Sequence, residues 1–460
     1  MTEENRWKIW IPLGGILLLM VVGCRPGAVT SVSTDASKRG RTVIKYWEKW
    51  TGNEGAAMKA IVADFNASQD RIQVEYLTTS AIDRKLLMAT AGGNPPDVAS
   101  LWSWIVPTYV EQNALLPLDR LAREAGLEKS DYIDVFWDLC THRRCLWALP
   151  SAPYTIALHW NKKLFREAGL DPERPPRSIA ELEEYNKKLT KRRPDGSIEC
   201  IGHIPEEPGW WNYYWCLWFG GDLWDHDRRV TADSAANLAA MEWVQSYPKR
   251  FGVHNLIALR EGYGSFSSPQ NPFFTGKVAM ILQGSWMYNW IKAYGPPDFE
   301  WGVAPFPSVD PEKFPNVTIA ECDILAIPVG SQHPREAFEF IRYVSSQGPM
   351  EKFSLAQRKF SPLKKVSPDF FQRHENPYIR NFLELAKSPN AKIIPRLSSW
   401  VEYKVDLMDG VSKLWTMVAT PSDLMPEIQM RQQKAVDRRS ARWDRLEPEL
   451  VACWKRHEKE

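Results

Sequence analysis

The strongest constraint on the fold is a regular alternation of strand and helix patterns that begins at residue 43. Apolar and aromatic residues over 43–47, strict alternation over 71–76 and a short apolar run over 97–101 predict three strands. Between them, apolar side chains recur at helical spacing over residues 55–67, and a second helix is predicted over 83–90. Strands separated by helices in this order predict an α/β fold with a parallel sheet and right-handed crossovers.

The alternation of strand and helix patterns continues through the rest of the chain. Further strands are predicted over residues 154–160, 277–282 and 325–329. Further helices are predicted over residues 161–168, over 179–189 after a Ser178 cap, from Asp233-Ser234, from Pro334, and through most of the region after Ser398. At 460 residues the chain is long enough for about three domains or two large lobes.

Composition and charge exclude several classes of function. Lys+Arg 58 against Asp+Glu 56 gives a formal net charge of +2, which leaves no general electrostatic case for nucleic-acid binding. Hydrophobic content of 44% and charged content of 25% exclude a disordered chain and a multi-span membrane protein. Tryptophan is unusually frequent, with 22 Trp beside 18 Phe and 15 Tyr, which suggests an aromatic binding surface in addition to core positions.

The first 24 residues have the features of an export signal. Arg6 and Lys8 precede an apolar run over residues 9–22, which fits a secretory signal and is too short to span a bilayer. The run is followed by a small residue and Cys24, as in a bacterial lipobox, so we expect Cys24 to carry lipid. A signal peptide cut elsewhere and an uncleaved anchor are the alternatives. Residues 25–41, rich in Ser, Thr and Gly, are expected to form a flexible tether.

Motifs for catalysis or metal binding are absent from the sequence. It contains no H-E-x-x-H, no G-x-S-x-G, no Walker A and no C-x-x-C, so we expect no enzymatic activity, no cofactor and no metal site. Cys140 and Cys145, and likewise Cys200 and Cys216, lie close enough in sequence to form bridges, although spacing alone does not establish the connectivity.

Short motifs along the chain resemble the extracellular solute-binding proteins of bacterial ABC sugar importers, the group that includes maltose-binding protein. The resemblance runs from about residue 43 to about residue 414, and the motifs occur in the family's order and at similar separations. The motifs are AGGNPPDV from Ala91, LLPLD from Leu115, LWALP from Leu146, HWNKKLFREAGL from His159, FGGDL from Phe219, FTGKVAM from Phe274, GSW from Gly284, PFP from Pro305 and IPVGS from Ile327.

This resemblance implies a two-lobe periplasmic-binding-protein fold in which hinge crossings join two α/β lobes around a ligand cleft. Placed on this sequence, lobe one holds residues 42–152 and 276–306, and lobe two holds residues 153–275 and 307–460. The expected hinge crossings lie near Ala152, Phe274 and Pro307.

A sugar site needs flat aromatic rings for the apolar faces of the sugar and polar side chains for its hydroxyl groups. Because ligands bind beyond the carboxyl ends of strands in open α/β sheets, we expect tryptophans near strand ends to form the site, with core packing as the alternative for each. By resemblance, Trp286 and Trp400 correspond to sugar-stacking aromatics and Tyr154 to a hinge-side polar contact. The candidate residues are Trp47, Glu48, Trp50, Trp102, Trp104, Tyr154, Trp210, Trp211, Tyr214, Trp286 and Trp400.

The resulting hypothesis is a monomeric receptor, anchored outside the cell membrane through lipid on Cys24, that closes around a sugar or oligosaccharide and delivers it to an ABC permease. Two alternatives remain open on the sequence alone. One keeps the fold and changes the ligand to a glycerol phosphate or a polyamine. The other is a secreted glycan-active enzyme, which would need two carboxylates at catalytic separation in one site.

Overall fold

A computed structural model describes residues 40–457, so the predicted signal segment and Cys24 lie outside the described residues. Within this range the chain forms a mixed α/β structure. The strands β1 to β12 are Thr42–Glu48, Ile72–Thr78, Val98–Trp102, Thr141–His142, Cys145–Leu146, Ala148–Asn161, Lys191–Arg192, Ile198–Cys200, Met280–Gly284, Trp301–Ala304, Thr318–Ala326 and Ala391–Lys392.

The helices α1 to α15 alternate with these strands and dominate the C-terminal part. They are Gly52–Ser68, Ile82–Ala91, Val106–Glu111, Asp119–Glu124, Asp134–Cys140, Lys162–Glu167, Ile179–Leu189, Ala235–Phe251, Val253–Glu261, Met287–Tyr294, Pro334–Val344, Gln347–Gln357, Ile379–Ala386, Trp400–Trp415 and Pro421–His457. No helix within residues 40–457 is both long enough and apolar enough to cross a membrane.

Local sequence signals set several of these boundaries. The predicted caps are confirmed at Ser178, which accepts a hydrogen bond from the backbone N–H of Glu181, and at Ser234, which accepts one from the N–H of Asn237. The predicted strand–helix order from residue 43 to residue 101 is also confirmed, with β1 pairing in parallel with both β2 and β3.

The central sheet is mixed, so the prediction of a parallel sheet holds only for its first three strands. The long strand β11 runs antiparallel to β3 on one side and antiparallel to β6 on the other. β9 and β10 then pair antiparallel with the C-terminal half of β6. The sequence prediction detected only the end of β11, because nine consecutive buried residues give no alternation.

Buried residues form two hydrophobic clusters, and each cluster is the core of one lobe. The first cluster gathers β1 to β3, α1 and the helices α11 to α13, and the second gathers α7, α8, β9 and most of α14. Strands β6 and β11 run from one cluster to the other. In β6, Ala152 belongs to the first cluster and Leu158 to the second, and in β11, Ile324 belongs to the first and Ile319 to the second.

This packing assigns two segments differently from the sequence prediction. β9 and α10, predicted to lie in lobe one, pack in the second cluster because β9 pairs with the second-cluster half of β6. Residues 320–386, predicted to lie in lobe two, pack in the first cluster because β11 pairs with β3. The chain therefore crosses between the clusters near residues 154, 320 and 390, whereas Phe274 and Phe306 both lie inside the second cluster.

The C-terminal helix α15 packs on both lobes. Near its start, Leu424 and Ile428 lie in the second cluster, and further along Trp443 and Trp454 lie in the first. The ring of Trp454 packs edge-on against Trp147, with 4.7 Å between ring centroids. This helix therefore makes a connection between the lobes in addition to the three crossings of the chain.

The two cysteine pairs that lie close enough in sequence to form bridges are not joined to each other. Cys140, Cys200 and Cys216 are buried thiols, so neither the 140–145 nor the 200–216 bridge is formed. Burial raises the pKa of Cys200 to about 12, which keeps this thiol protonated and unreactive.

Candidate ligand-binding site

A cavity of about 460 Å³ opens between the two lobes. One side is formed by residues next to the first cluster and the other by residues next to the second, so that both lobes contribute to a single site. Its volume lies within the range of small-molecule sites. The lining residues are Trp50, Thr51, Glu54, Trp102, Tyr154, Trp210, Trp211, Ser267, Trp286, Trp290, Asp323 and Lys359.

On the side of lobe one, two tryptophans stand beside a buried ion pair. Trp50 follows β1 and Trp102 ends β3, and their rings meet edge to face with 6.0 Å between centroids. Because β1 and β3 are parallel neighbours, their C-terminal ends bring these rings to the same edge of the sheet. Lys49 places its ammonium 5.3 Å from the ring centroid of Trp50 and 5.4 Å from that of Trp102, and this cation–π contact holds both rings in place.

Lys49 also neutralises Asp323, one of the two carboxylates that line the cavity. Its Nζ lies 3.1 Å from Asp323 Oδ1, and the two side chains are only 3% and 4% exposed. The indole Nε1 of Trp50 donates a 2.7 Å hydrogen bond to Asp323 Oδ2, and Lys49 Nζ donates a 2.8 Å bond to Ser100 Oγ. The Asp323 carboxylate is therefore held in a fixed position by Lys49 and Trp50 of the loop after β1, and Ser100 of β3 in turn holds Lys49.

Four tryptophans form the side of the cavity contributed by lobe two. Trp210 lies 6.1 Å from Trp211, 6.4 Å from Trp286 and 6.0 Å from Trp290, measured between ring centroids. Trp210 is 43% exposed, which is high for so large an apolar side chain. Trp286 is fixed by a 3.1 Å hydrogen bond from its Nε1 to Gln283 Oε1. These rings give the cavity broad apolar surfaces in several orientations.

Tyr154 lies where β6 passes between the lobes. It pairs in register with Glu321 of β11, and its ring meets Trp286 edge to face at 5.1 Å. Burial, together with the nearby Glu321 and Asp323 carboxyls, raises the pKa of Tyr154 well above its usual value, so the phenol remains a hydrogen-bond donor. Burial and the charge of Asp323 likewise raise the pKa of Glu321, which favours its neutral acid form.

Hydrogen bonds join the two lobes beside the cavity. Asn289 of α10, whose helix packs in the second cluster, donates from Nδ2 to the carbonyl oxygen of Gln357 at 3.2 Å. Gln357 ends α12 of the first cluster, and the next residue, Arg358, donates to Asn289 Oδ1 at 3.1 Å. The lobes are therefore in direct contact beside the cavity.

Six of the eleven candidate residues line this cavity, and they come from five separate parts of the sequence. They are Trp50, Trp102, Tyr154, Trp210, Trp211 and Trp286. The structure thus brings together the loop after β1, the end of β3, the start of the second-lobe half of β6, and the segments around residues 210 and 286.

The other five candidates lie outside the lining. Trp47 is half-buried against the first cluster, and Glu48 is 2% exposed and accepts hydrogen bonds from the Tyr46 hydroxyl and from the backbone N–H groups of Lys49 and Trp50. These bonds give Glu48 a structural role at the end of β1.

Of the three remaining candidates, one stacks behind the lining and two are buried in the core. Trp104 lies 5.9 Å from Trp102 in a nearly parallel stack and supports it. Trp400 is 1% exposed and packs 5.8 Å from Tyr214, which is itself 2% exposed. Trp400 and Tyr214 therefore contribute to the second core.

Sequence reasoning missed half of the lining. Trp290 could have been found, because it lies four residues after Trp286 and thus on the same face of α10. Asp323 lies opposite Trp102 in the β3–β11 pair, a register that the sequence pattern does not give. Thr51, Glu54, Ser267 and Lys359 belong to no recognisable motif.

The chain matches the family model described as "Bacterial extracellular solute-binding protein" over residues 49–351. It belongs to this family. Family membership makes it the solute-binding component of an ABC transporter, as the sequence predicted, and the two-lobe fold is confirmed as well.

Individual relatives agree with this assignment over most of the chain. An uncharacterized ABC transporter extracellular-binding protein of Pyrococcus horikoshii is 22% identical over 385 residues, 79% of this chain and 84% of the relative. The sn-glycerol-3-phosphate-binding periplasmic protein UgpB of Escherichia coli is 25% identical over 85% of this chain and 91% of its own. The structure of CpMnBP1 with mannobiose bound superimposes with a TM-score of 0.75 and 26% identity, covering 84% of this chain and 98% of that protein.

Proposed function

We propose that this solute-binding protein captures a sugar or oligosaccharide in the cavity between its lobes and delivers it to a membrane permease. Closure of the lobes about β6 and β11 would surround the ligand, because a ligand that contacts both lobes binds the closed state more tightly than the open one. The lobes we propose as the moving units are those defined by the two hydrophobic clusters.

The observation that carries this proposal is the combination of tryptophan faces with a few fixed polar groups. Sugars present apolar C–H faces and a ring of hydroxyl groups, and the cavity offers indole rings for the former. For the hydroxyl groups of the sugar, the cavity offers the Asp323 carboxylate, the Tyr154 phenol, Glu54 and Lys359. The relative CpMnBP1, which has mannobiose bound, supports the same class of ligand.

The test is a binding screen with mono- and oligosaccharides, read by intrinsic tryptophan fluorescence and by the shift in melting temperature. We expect at least one saccharide to change both signals, because several rings that line the cavity would be covered by ligand. Binding is then quantified by calorimetry for Trp286→Ala. A sugar face that covers about 80 Å² of apolar surface contributes roughly 2 kcal/mol, so the variant should lose about 30-fold in affinity.

A matched control separates the cavity from general effects of tryptophan loss. Trp137 is half-buried against the first cluster and lies outside the cavity lining, so Trp137→Ala should leave the affinity within about twofold of the original. Failure of a broad saccharide panel to change either signal would contradict the sugar proposal. The same screen should include sn-glycerol 3-phosphate, which the similarity to UgpB favours as the second candidate ligand.

We further propose that the protein acts without catalysis and is attached to the membrane through lipid on Cys24. Release of new reducing ends during incubation with oligosaccharides would contradict the first statement. For the second, metabolic labelling with a fatty acid should mark the wild type and should be absent from Cys24→Ser. Labelling of that variant would place the lipid elsewhere.

A further inference from the structure

One cation of the cavity has no side-chain partner within residues 40–457, and it comes from a segment far from the tryptophan motifs. Lys359 lines the cavity and is only 4% exposed. It forms no ion pair and no side-chain hydrogen bond with any residue between 40 and 457. Asp323, the buried carboxylate of the same cavity, is already paired with Lys49 and Trp50.

The backbone holds Lys359 firmly in this position. Arg358, just before it, adopts a left-handed conformation with φ of 56°, which ends α12 and turns the chain toward the cavity. The N–H of Lys359 donates to the carbonyl oxygen of Ser354 at 2.9 Å, and Nε2 of His374 lies 3.2 Å from the carbonyl oxygen of Lys359. The next side chain, Phe360, is fully buried in the first cluster.

Neighbouring charged side chains do not neutralise this ammonium. Arg358 is occupied by Glu375 at 2.7 Å and by Asn289. Glu54 also lines the cavity, but it is half-exposed and forms no ion pair with Lys359, so water can solvate its carboxylate. The Lys359 ammonium is thus the charged group of the cavity that gains most from a new partner when the cleft closes.

We propose that Lys359 binds an anionic group of the ligand, so that the preferred solute is an acidic saccharide with a carboxylate, such as a hexuronate-containing disaccharide. A buried ammonium that meets only neutral hydroxyls keeps much of its desolvation penalty, whereas a carboxylate removes it through a charge-assisted hydrogen bond. This inference rests on the proposed function of the same cavity, and it names the class of sugar. A polyamine is not the expected ligand, because the Lys359 ammonium would repel its cationic groups.

The experiment compares a neutral hexose disaccharide with the matching hexuronate disaccharide by calorimetry. A hydrogen bond to a charged group contributes about 1.5–3 kcal/mol, so the wild type should bind the hexuronate at least about tenfold more tightly. Lys359→Gln should lose this preference, because it should weaken binding of the hexuronate disaccharide much more than binding of the neutral one. Lys359→Arg, which keeps the charge, should retain most of it. The matched control is Lys365→Gln, a substitution at an exposed lysine outside the cavity, which should leave both affinities unchanged.

Each outcome has a distinct meaning. Equal affinity of the wild type for the two disaccharides, or an equal loss for both in Lys359→Gln, would overturn the role of Lys359 and leave the sugar proposal intact. An arm with sn-glycerol 3-phosphate identifies the other source of an anion. If this phosphate binds in a Lys359-dependent way and no saccharide binds, the sugar proposal and the acidic-saccharide inference both fall, while the anion-binding role of Lys359 remains.

Discussion

The buried pair of Lys49 and Asp323 offers a sharp test of how the cavity is supported. Removing the ammonium by Lys49→Met keeps a side chain of similar length and leaves the Asp323 carboxylate 4% exposed without its counter-charge. It also removes the cation that lies beside the rings of Trp50 and Trp102, at 5.3 and 5.4 Å from their centroids. We therefore expect loss of stability together with loss of order in the lining.

The size of the expected loss of stability in Lys49→Met follows from the burial of both Lys49 and Asp323. Breaking a buried ion pair by removing one partner costs about 3–5 kcal/mol, because an uncompensated charge stays inside. Trp50 Nε1 still donates to Asp323 in the variant, so the lower end, about 3 kcal/mol, is expected. This is a large part of the total stability of an ordinary protein, which is about 5–15 kcal/mol.

Urea unfolding followed by circular dichroism measures this loss. The control is Lys352→Met, which breaks an exposed pair with Asp64 whose side chains are 54% and 39% exposed, and which should cost less than about 1 kcal/mol. Adding Asp323→Asn to Lys49→Met should recover part of the loss, because it removes the stranded charge. A cost below about 1 kcal/mol for Lys49→Met, or no recovery in the double variant, would refute the reasoning.

Three further outcomes are expected. Asn289→Ala removes two hydrogen bonds that join the lobes beside the cavity and should weaken ligand binding about tenfold or more by calorimetry. Asn255→Ala, which removes one bond within lobe two, should leave the affinity unchanged. Equal affinities of the two variants would show that ligand binding does not depend on the bonds of Asn289. Burial raises the pKa of Glu207 from 4.5 to about 7, so its ionisation costs folding stability as pH rises through this range. Glu207→Gln should therefore reduce the fall in melting temperature between about pH 5 and about pH 8. If the fall is the same in the variant, other groups cause it. Cys200, whose pKa burial raises to about 12, should resist alkylation by iodoacetamide in the native protein and react after denaturation, as read by mass spectrometry; labelling of the native protein would contradict its burial.

Local patterns predicted the first strands and helices of lobe one and helix α7 of lobe two, because the signals of each element lie within a few residues of each other. Alternation over residues 71–76 and helical spacing over 55–67 reflect burial of one face, and the Ser178 cap lies next to the helix that it begins. Family-like motifs added the two-lobe architecture, which periodicity alone does not give.

Features that depend on pairing between strands far apart in the sequence could not be predicted. β9 lies in the second lobe and not in the predicted first lobe, because it pairs with the second-lobe half of β6. Residues 320–386 lie in the first lobe and not in the predicted second lobe, because β11 pairs with β3. The same pairing places Asp323 opposite Trp102, and a turn after α12 brings in Lys359. The local sequence also misled at Trp400, which is buried in the core. A tryptophan at a helix start gives the same local signal whether it faces a ligand or a core.

The attachment of α15 to both lobes has a practical consequence. Leu424 and Ile428 fix its beginning to lobe two, while Trp443 and Trp454 fix its later turns to lobe one. Any rotation of one lobe against the other must therefore bend this helix or slide it along one of its two contacts. A fluorophore attached at an exposed position between Ile428 and Trp443 would report such movement as a change in emission, which would turn the protein into a reagentless optical sensor for its own solute.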